Sequence, residues 1–409
     1  MSKITISQTN GILRGLVSLP SSKSESNRAL ILRALSGNRI QVENLSEARD
    51  TKLLQAALAS DATEINVLDA GTAMRFLTAY YCASGQHKIL TGSGRMCERP
   101  IGILVDALRD IGYDISYVDK EGFPPLEIIP VDQSKLKNEV LIAGNISSQY
   151  ISALMMIAPV LEGGLTIHFT TSLSSRPYLA LTAKLMQEAE LHCEISEERI
   201  EIKHQPFGQA AIKIGADWSA ASYWFSIVAL ARDAAVHLMR LSLETSQGDA
   251  KIAEWAPLFG VGVEETYGAL ILRTAPLERR ADLHFDFTDY PDLAQTVIVI
   301  CAAKNIKATF SGLQSLRIKE TDRILAIQQE LAKFSVLLEE TKDDVFQLNG
   351  QFTHRPFETI KTYNDHRMAM AFAPLALLGD IAIENPEVVD KSYPTFWDEL
   401  SNVGFDIEV

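Results

Sequence analysis

The sequence predicts an α/β protein whose sheets are covered by helices, with chain enough for two lobes. Short β-rich runs alternate with amphipathic stretches from end to end, the pattern of helices laid against sheets. The 409 residues, 47% hydrophobic and 22% charged, suffice for two cores of ordinary size and have the balance of a globular chain. Strings that join Ser, Thr, Gly or Pro to a cation recur where apolar helices begin, which points to the chemistry such a scaffold holds.

In chain order, KITIS opens with the β-branched alternation of a strand. A helix is predicted from near Ser26 to about Gly37, entered through a Ser-rich cap and closed by glycine. TKLLQAALASD, from near Lys52, carries apolar residues at three- and four-residue spacing, and TEINVLD is a strand. Helices follow from near Thr72 and Pro100, on either side of the strand KILTG. LEIIP and EVLIAG are short β-branched runs ahead of a helix from Ser148, whose ISALMMIAPVL carries apolar residues at three- and four-residue spacing. LTIHF is next, then a helix from Pro177 with proline in its first turn, then the strands IEIKH and AAIKI. Helices near Ala220 and Asp249, the strands ALILRT and LHFDF, and a helix near Pro291 continue the alternation. RILAIQQELAKF forms a helix from near Glu320, VFQLNG a strand, and helices near Asp365 and Pro394 close the chain. The similar spacings point to a repeated supersecondary unit, with no sequence-level repeat to match.

The segment PSSKSESNRAL, Pro20 to Leu30, sets four Ser, Lys23 and Arg28 at a helix entry, where free backbone N–H groups point outward. Alone it reads as a serine cap on a solvated basic face. DAGTAMR (Asp69 to Arg75), RMCERPIG (Arg95 to Gly102), SSQY (Ser147 to Tyr150), SSRPY (Ser174 to Tyr178), LRIKETDR (Leu316 to Arg323) and YNDHRMAM (Tyr363 to Met370) repeat the device. A chain that builds it so often surrounds a small, multiply charged anion. The net charge of −14 sharpens the point, since scarce cations are concentrated in these strings. The same charge argues against nucleic acid or an anionic membrane as partner.

Four Cys are widely spaced, without a C-x-x-C pair or a Cys/His cluster of metal-ligand spacing, so no metal site and no disulfide is expected. MSKITISQTN has no apolar signal core, and the most apolar runs are too short to span a bilayer, so a cytoplasmic location is expected. Neither a dinucleotide fingerprint nor a P-loop occurs, despite the SKS string.

Taken together and in this order, from Leu19 to about Pro394, the strings resemble those of the enolpyruvyl transferase family. No single string is specific; the ordered set is. The resemblance implies two lobes of similar fold, each built of three βαβαββ units as an inside-out α/β barrel, the chain crossing near Pro20 and Gly215. Residues 1–20 with 216–409 form one lobe, carrying the donor clamp and the carboxylates; residues 21–215 form the other, carrying the acceptor phosphate site. It further implies transfer of the enolpyruvyl group of phosphoenolpyruvate to the 5-hydroxyl of 3-phosphoshikimate, with no cofactor and no metal, by a monomer. In this family the herbicide glyphosate competes with phosphoenolpyruvate.

Carried over by position, the resemblance assigns Lys23, Ser24, Arg28, Ser147, Ser148, Gln149, Ser175, Tyr178, Asp292, Ser315 and Lys319 to 3-phosphoshikimate. It assigns Lys23, Gly71, Arg99, Gln149, Arg323, Arg367 and Lys391 to phosphoenolpyruvate. Asp292 is the expected base on the 5-hydroxyl and Glu320 the group handling the C3 proton, with Lys23 and Lys319 placed to assist either transfer; the division of labour stays open. Each has a plainer alternative. Asp292 suits a helix N-terminus, Glu320 an i,i+3 pair with Arg323, Gly71 a turn with positive φ, and His366 simple packing.

The chain departs from the family in four places. Between Asp50 and Gly71 it has one helix and one strand where two further short strands are usual, so the first unit of the 21–215 lobe is trimmed. Asp69 replaces an Asn and adds negative charge near an anion site. Phe76 replaces a Pro, its bulk positioned to shift the helix start, and Ser315 replaces a larger polar residue. No cation or proton carrier is lost. A UDP-N-acetylglucosamine enolpyruvyl transferase is disfavoured, because Lys23 is followed by Ser24 rather than Asn and Cys97 lies within a motif. A non-catalytic anion-binding paralogue would have no need of both carboxylates.

Overall fold

The computed structural model describes residues 2–408. The segment through Pro20 together with the chain from Gly215 forms one compact unit, and Ser21–Ile214 the other. At the second crossing, the Ile214 N–H donates to Glu43 O at 3.1 Å and Asn44 donates to Ile214 O at 2.8 Å. Three residues on, Asp217 N–H donates to Pro20 O at 2.9 Å within the other unit. Each unit has its own hydrophobic core.

Among the described residues, five of the six sheets are four-stranded and share one spatial plan, a parallel pair and then two antiparallel strands; in four of them the fourth strand in sequence lies inside the third. Ser21–Ile214 has two of them. One runs Glu64–Asn66, Lys88–Thr91, Leu126–Ile129, Asp114–Tyr117, and the other Glu139–Ile142, Leu165–Phe169, Arg199–Ile202, Glu194–Ile195. The second unit has three. The first is Ile12–Ser18, Asp233–Met239, Ala269–Thr274, Val261–Thr266, and the next Leu283–Asp286, Ala308–Ser311, Val345–Gly350, Val336–Lys342. The last runs Glu358–Ile360, Ile381–Glu384, Lys3–Ser7, Asp406–Glu408, the N-terminal strand filling the fourth place.

The sixth sheet is only Gln41–Glu43 paired parallel to Ala211–Lys213. It is the trimmed unit: the short segment after Asp50 provides the helix Arg49–Leu58 and then passes into the strand Glu64–Asn66 of the next sheet. The antiparallel half of the plan is missing there because the chain lacks the residues for it.

Helices that are apolar all round sit inside, as such helices must. All but one residue of Ser148–Ile157 and every residue of His366–Phe372 is buried, and Trp218–Leu230 and Ala294–Ala303 are nearly so. The strands bury alternate residues, as in Lys88–Thr91 and Arg199–Ile202, and so form an outer layer open on one face. Helices within and sheets without make each unit an inside-out α/β barrel.

Several helix starts differ from the sequence reading by a cap. The first helix begins at Lys23, because Ser22 takes the N-cap and accepts from Glu25 N–H. The helix expected near Glu320 begins at Arg323, capped by Asp322, so Glu320 lies in the bend before it. Near Pro291 and Asp249 single 3₁₀ turns, Pro291–Leu293 and Gly248–Ala250, precede the helices Ala294–Ala303 and Lys251–Trp255.

Candidate active site

In Ser21–Ile214, one guanidinium ties together the starts of four helices. Arg28, on the second turn of Lys23–Leu35, is 2% exposed. It donates through Nε to Thr182 Oγ1 at 2.7 Å, on the helix Arg176–Glu188, and through Nη2 to Ser152 Oγ at 3.2 Å, on Ser148–Ile157. Its Cζ lies 5.4 Å from the ring centroid of Phe76, on Gly71–Ala83. All four residues sit in the second turn of their helices, so each contact lies within two turns of a helix start. Burial lowers the Arg28 pKa to about 10, with Tyr178 and Glu25 acting in the opposite sense, so it remains a cation at neutral pH.

Those N-termini carry the residues singled out in the sequence. Ser147 caps Ser148–Ile157, its hydroxyl accepting from Gln149 N–H at 3.3 Å, and the Gln149 amide donates to Thr72 Oγ1 at 3.1 Å. Ser24 is in the first turn of its helix and gives its carbonyl to Arg28 at 3.0 Å. Ser175 caps Arg176–Glu188 with φ of 55°, a left-handed conformation unusual for serine, and Tyr178 follows in the first turn. Lys23 Nζ lies 3.5 Å from Oδ2 of buried Asp50.

Gly71 is helical, the first residue of Gly71–Ala83, and its φ is not in the left-handed region. The reading as a positive-φ turn residue is therefore replaced by one of close approach. A β-carbon at Gly71 would stand 2.7 Å from Arg99 Nη1 and 2.9 Å from Nη2, so glycine is what lets this guanidinium lie against the helix start. Two of the departures are absorbed locally. Arg49 grips both oxygens of Asp69 at 2.9 and 3.0 Å, which offsets the added charge. Phe76 is fully buried beneath Arg28, on the helix that starts at Gly71.

In the unit that contains both termini, the proposed carboxylates and cations form one cluster. Arg323, 2% exposed, donates to Asp365 Oδ2 at 2.7 Å and Glu320 Oε2 at 2.9 Å, and lies 3.4 Å from Asp292 Oδ1. Burial works to lower its pKa, but Asp365 and Glu320 hold it above the ordinary guanidinium value. Arg367 Nη2 is 2.7 Å from Asp292 Oδ2, and Nη1 donates to Asp292 O at 3.3 Å and Tyr223 Oη at 3.1 Å. Lys391, 1% exposed at the end of the 3₁₀ helix Pro386–Lys391, is 3.8 Å from Glu320 Oε1. Burial raises the Tyr223 phenol to about 12, against the nearby arginines.

The pair of Glu320 with Arg323 thus exists, but as one contact of a guanidinium shared among three carboxylates, and within a bend rather than along a helix. Asp292, in the 3₁₀ turn before Ala294–Ala303, is held by two arginines rather than only by a helix N-terminus. His366 is buried beside Asp365, its Nδ1 3.5 Å from Oδ1. Ser315 and Lys319 are half-buried in and just after the turn Gln314–Ile318.

Sequence reasoning passed over residues that hold this machinery in place. Asp365 both caps His366–Phe372, accepting from Arg367 N–H at 2.9 Å, and anchors Arg323; its place directly before a helix start was the available signal. Arg75 donates to Gly71 O and Pro100 O at 3.1 Å each, bracketing Arg99. Ser219 and Asp249, joined by a hydrogen bond beside Arg367, had no signal beyond their residue types.

Among the described residues no group of three or more His, Cys, Asp or Glu is placed to hold a metal ion, and no helix is long and apolar enough to cross a membrane.

Residues 53–400 match the family model for EPSP synthase (3-phosphoshikimate 1-carboxyvinyltransferase). A 3-phosphoshikimate 1-carboxyvinyltransferase from Bacteroides fragilis is 44% identical over 97% of this chain and 97% of its own. Another, from Methanospirillum hungatei, is 33% identical over 94% and 95%. Among solved structures, an EPSP synthase from Acinetobacter baumannii superposes with a TM-score of 0.79 over 100% of both chains at 19% identity. The enolpyruvyl transferase NikO from Streptomyces tendae gives 0.76 at 15% identity, over 99% of this chain and 98% of that one. At those identities the structures speak for the fold, and the two sequence relatives for the family: the chain belongs to the EPSP synthase family.

Proposed function

We infer that the protein transfers the enolpyruvyl group of phosphoenolpyruvate to the 5-hydroxyl of 3-phosphoshikimate, giving 5-enolpyruvylshikimate 3-phosphate and phosphate, a step of aromatic amino acid biosynthesis. Beyond family membership, the observation that carries this reading is the grip of buried Arg323 on both Asp292 and Glu320. A site built only to bind anions would not place two carboxylates among its cations, because they repel the ligand.

Phosphoenolpyruvate must gain a proton at C3 for C2 to accept the hydroxyl oxygen, and the hydroxyl must lose its own proton in that step. The tetrahedral adduct then loses C3–H and expels phosphate, which restores the enol. Glu320 delivers and recovers the C3 proton and Asp292 takes the hydroxyl proton. Lys23, Gly71, Arg99, Gln149, Arg323, Arg367 and Lys391 are assigned to the donor. Lys23, Ser24, Arg28, Ser147, Ser148, Gln149, Ser175, Tyr178, Asp292, Ser315 and Lys319 are assigned to the acceptor. Arginine suits a phosphate and a carboxylate because its planar fork bonds either in bidentate fashion.

Purified protein should release phosphate only when both substrates are present, with no metal added. Equal turnover with UDP-N-acetylglucosamine as acceptor, or none with 3-phosphoshikimate, would refute the assignment. We further propose a cytoplasmic monomer, which light scattering and cell fractionation check.

A further inference from the structure

The cation cluster contains one buried carboxyl that the reading above leaves unused. Asp249, in the 3₁₀ turn Gly248–Ala250, is 4% exposed. Its Oδ2 is hydrogen-bonded to Ser219 Oγ, and its Oδ1, also buried, meets no hydrogen-bonding group among the described residues. Ser219 Oγ lies 3.5 Å from Arg367 Nη2, the nitrogen that is 2.7 Å from Asp292 Oδ2. A single hydroxyl thus separates Asp249 from the guanidinium that holds the proposed base.

The cations here already have carboxylate partners without it. Arg323, Arg367 and Lys391 are met by Asp292, Glu320 and Asp365. The groups that act on Asp249 are Asp292, Arg367 and Asp217, the last capping Trp218–Leu230; Lys251, two residues on, pairs with Glu254. An ionised Asp249 would be a surplus anion with one oxygen unserved by any donor, which is costly in a buried site. A neutral carboxyl needs less: with the proton on Oδ2 it donates to Ser219, whose other lone pair faces Arg367.

We propose, on the functional reading above, that Asp249 is a positioning residue: kept neutral, it leaves Arg367 committed to Asp292 and the donor, and its ionisation draws Arg367 away. Burial, with Asp292 and Asp217 adding to it and with Arg367 and Ser219 opposing, pushes the Asp249 carboxyl up to about 7. On loss of that proton to solvent, Ser219 turns its own O–H toward the new carboxylate, and the pair pulls on Nη2 in competition with Asp292.

The test compares wild type with Asp249→Asn, an isostere of the neutral carboxyl. In wild type the KM for phosphoenolpyruvate should rise about threefold or more, relative to the variant, as pH goes from about 6 to about 8.5, with the two profiles converging at the acid end. The donor phosphate titrates equally in both proteins, so the difference reports the enzyme. Parallel profiles would overturn the proposal. Should Asp249→Asn fail to fold, Ser219→Ala cuts the link on the same readout: loss of the pH dependence supports the proposal and its retention overturns it.

Thermal unfolding needs no substrate. A folded-state pKa above the unfolded value of 3.8 means that the stability lost to Asp249 is small below about pH 4 and grows until about pH 7. Wild type should therefore lose Tm relative to Asp249→Asn between about pH 5 and 8, and a constant difference would overturn the neutral carboxyl. Absence of turnover in wild type would instead count against the functional reading.

Discussion

The guanidinium of Arg99 rests on the α-carbon of Gly71, so closely that a β-carbon there would lie 2.7 Å from Nη1 and 3.0 Å from Cζ. Arg75 fixes both sides of that contact through the carbonyls of Gly71 and Pro100. On the proposed assignment of Gly71 and Arg99 to the donor, its space is bounded by one residue without a side chain and one guanidinium.

Gly71→Ala should fold normally, since alanine is the better helix former and the clash is with the far end of a flexible side chain. Arg99 must move, so the KM for phosphoenolpyruvate should rise. Glyphosate, longer than the donor, should lose more, about tenfold in inhibition constant if some 1.4 kcal/mol is lost. Inhibition assays at matched donor saturation check this. A variant inhibited as strongly as wild type would remove Gly71 from the donor site.

Asp292→Asn and Glu320→Gln should each lower kcat by about 10²-fold or more, the usual scale of general acid–base catalysis, with smaller changes in KM. Both also weaken the hold on Arg323, so circular dichroism melts belong beside the kinetics. Near-normal kcat in both variants would reduce the two carboxylates to structural ion pairs.

Arg75→Met should remove the charged donor shared by Gly71 O and Pro100 O, the latter still held by Tyr150 Oη at 2.6 Å, and cost about 1.5–3 kcal/mol in denaturant unfolding, as for hydrogen bonds lost from a charged group. Arg99 loses its brace, so donor KM should rise more than kcat falls. Lysine at the same position reaches at most one carbonyl and should restore only part of the loss.

Phe76→Leu removes the ring beneath Arg28 while keeping the site apolar. With a cation–π contact worth about 0.5–2 kcal/mol, acceptor KM should rise several-fold while donor KM changes little. An unchanged acceptor KM would show that Thr182, Ser152 and the Ser24 carbonyl suffice to orient Arg28.

Much of the fold was legible in the chain. The most apolar runs, TVIVICAA and MAMAFAPLALLG, too short to span a bilayer, read as buried helices, and Ala294–Ala303 (all but its last residue) and His366–Phe372 are buried. The shortfall after Asp50 foretells a trimmed unit, and the two-stranded sheet of Gln41–Glu43 with Ala211–Lys213 is that unit. Strands such as Ile12–Ser18, interrupted by Gly15, and Val336–Lys342, ending in charges, escaped because their pairing partners rather than their own residues make them strands.

The local chemistry of the anion-binding strings was likewise set by sequence, since helix caps and first-turn cations depend on residues a few positions apart: Ser147 before Gln149, Asp365 before Arg367. What each side chain faces depends on residues far away in the chain, and only tertiary structure decides that. Packing of separate helices puts Phe76 under Arg28, Asp69 in the grip of Arg49, Glu320 in a guanidinium shared with Asp292 and Asp365, and Asp249 one hydroxyl from Arg367. Charge and burial act through space, so the roles of these groups follow from distances that no spacing along the chain encodes.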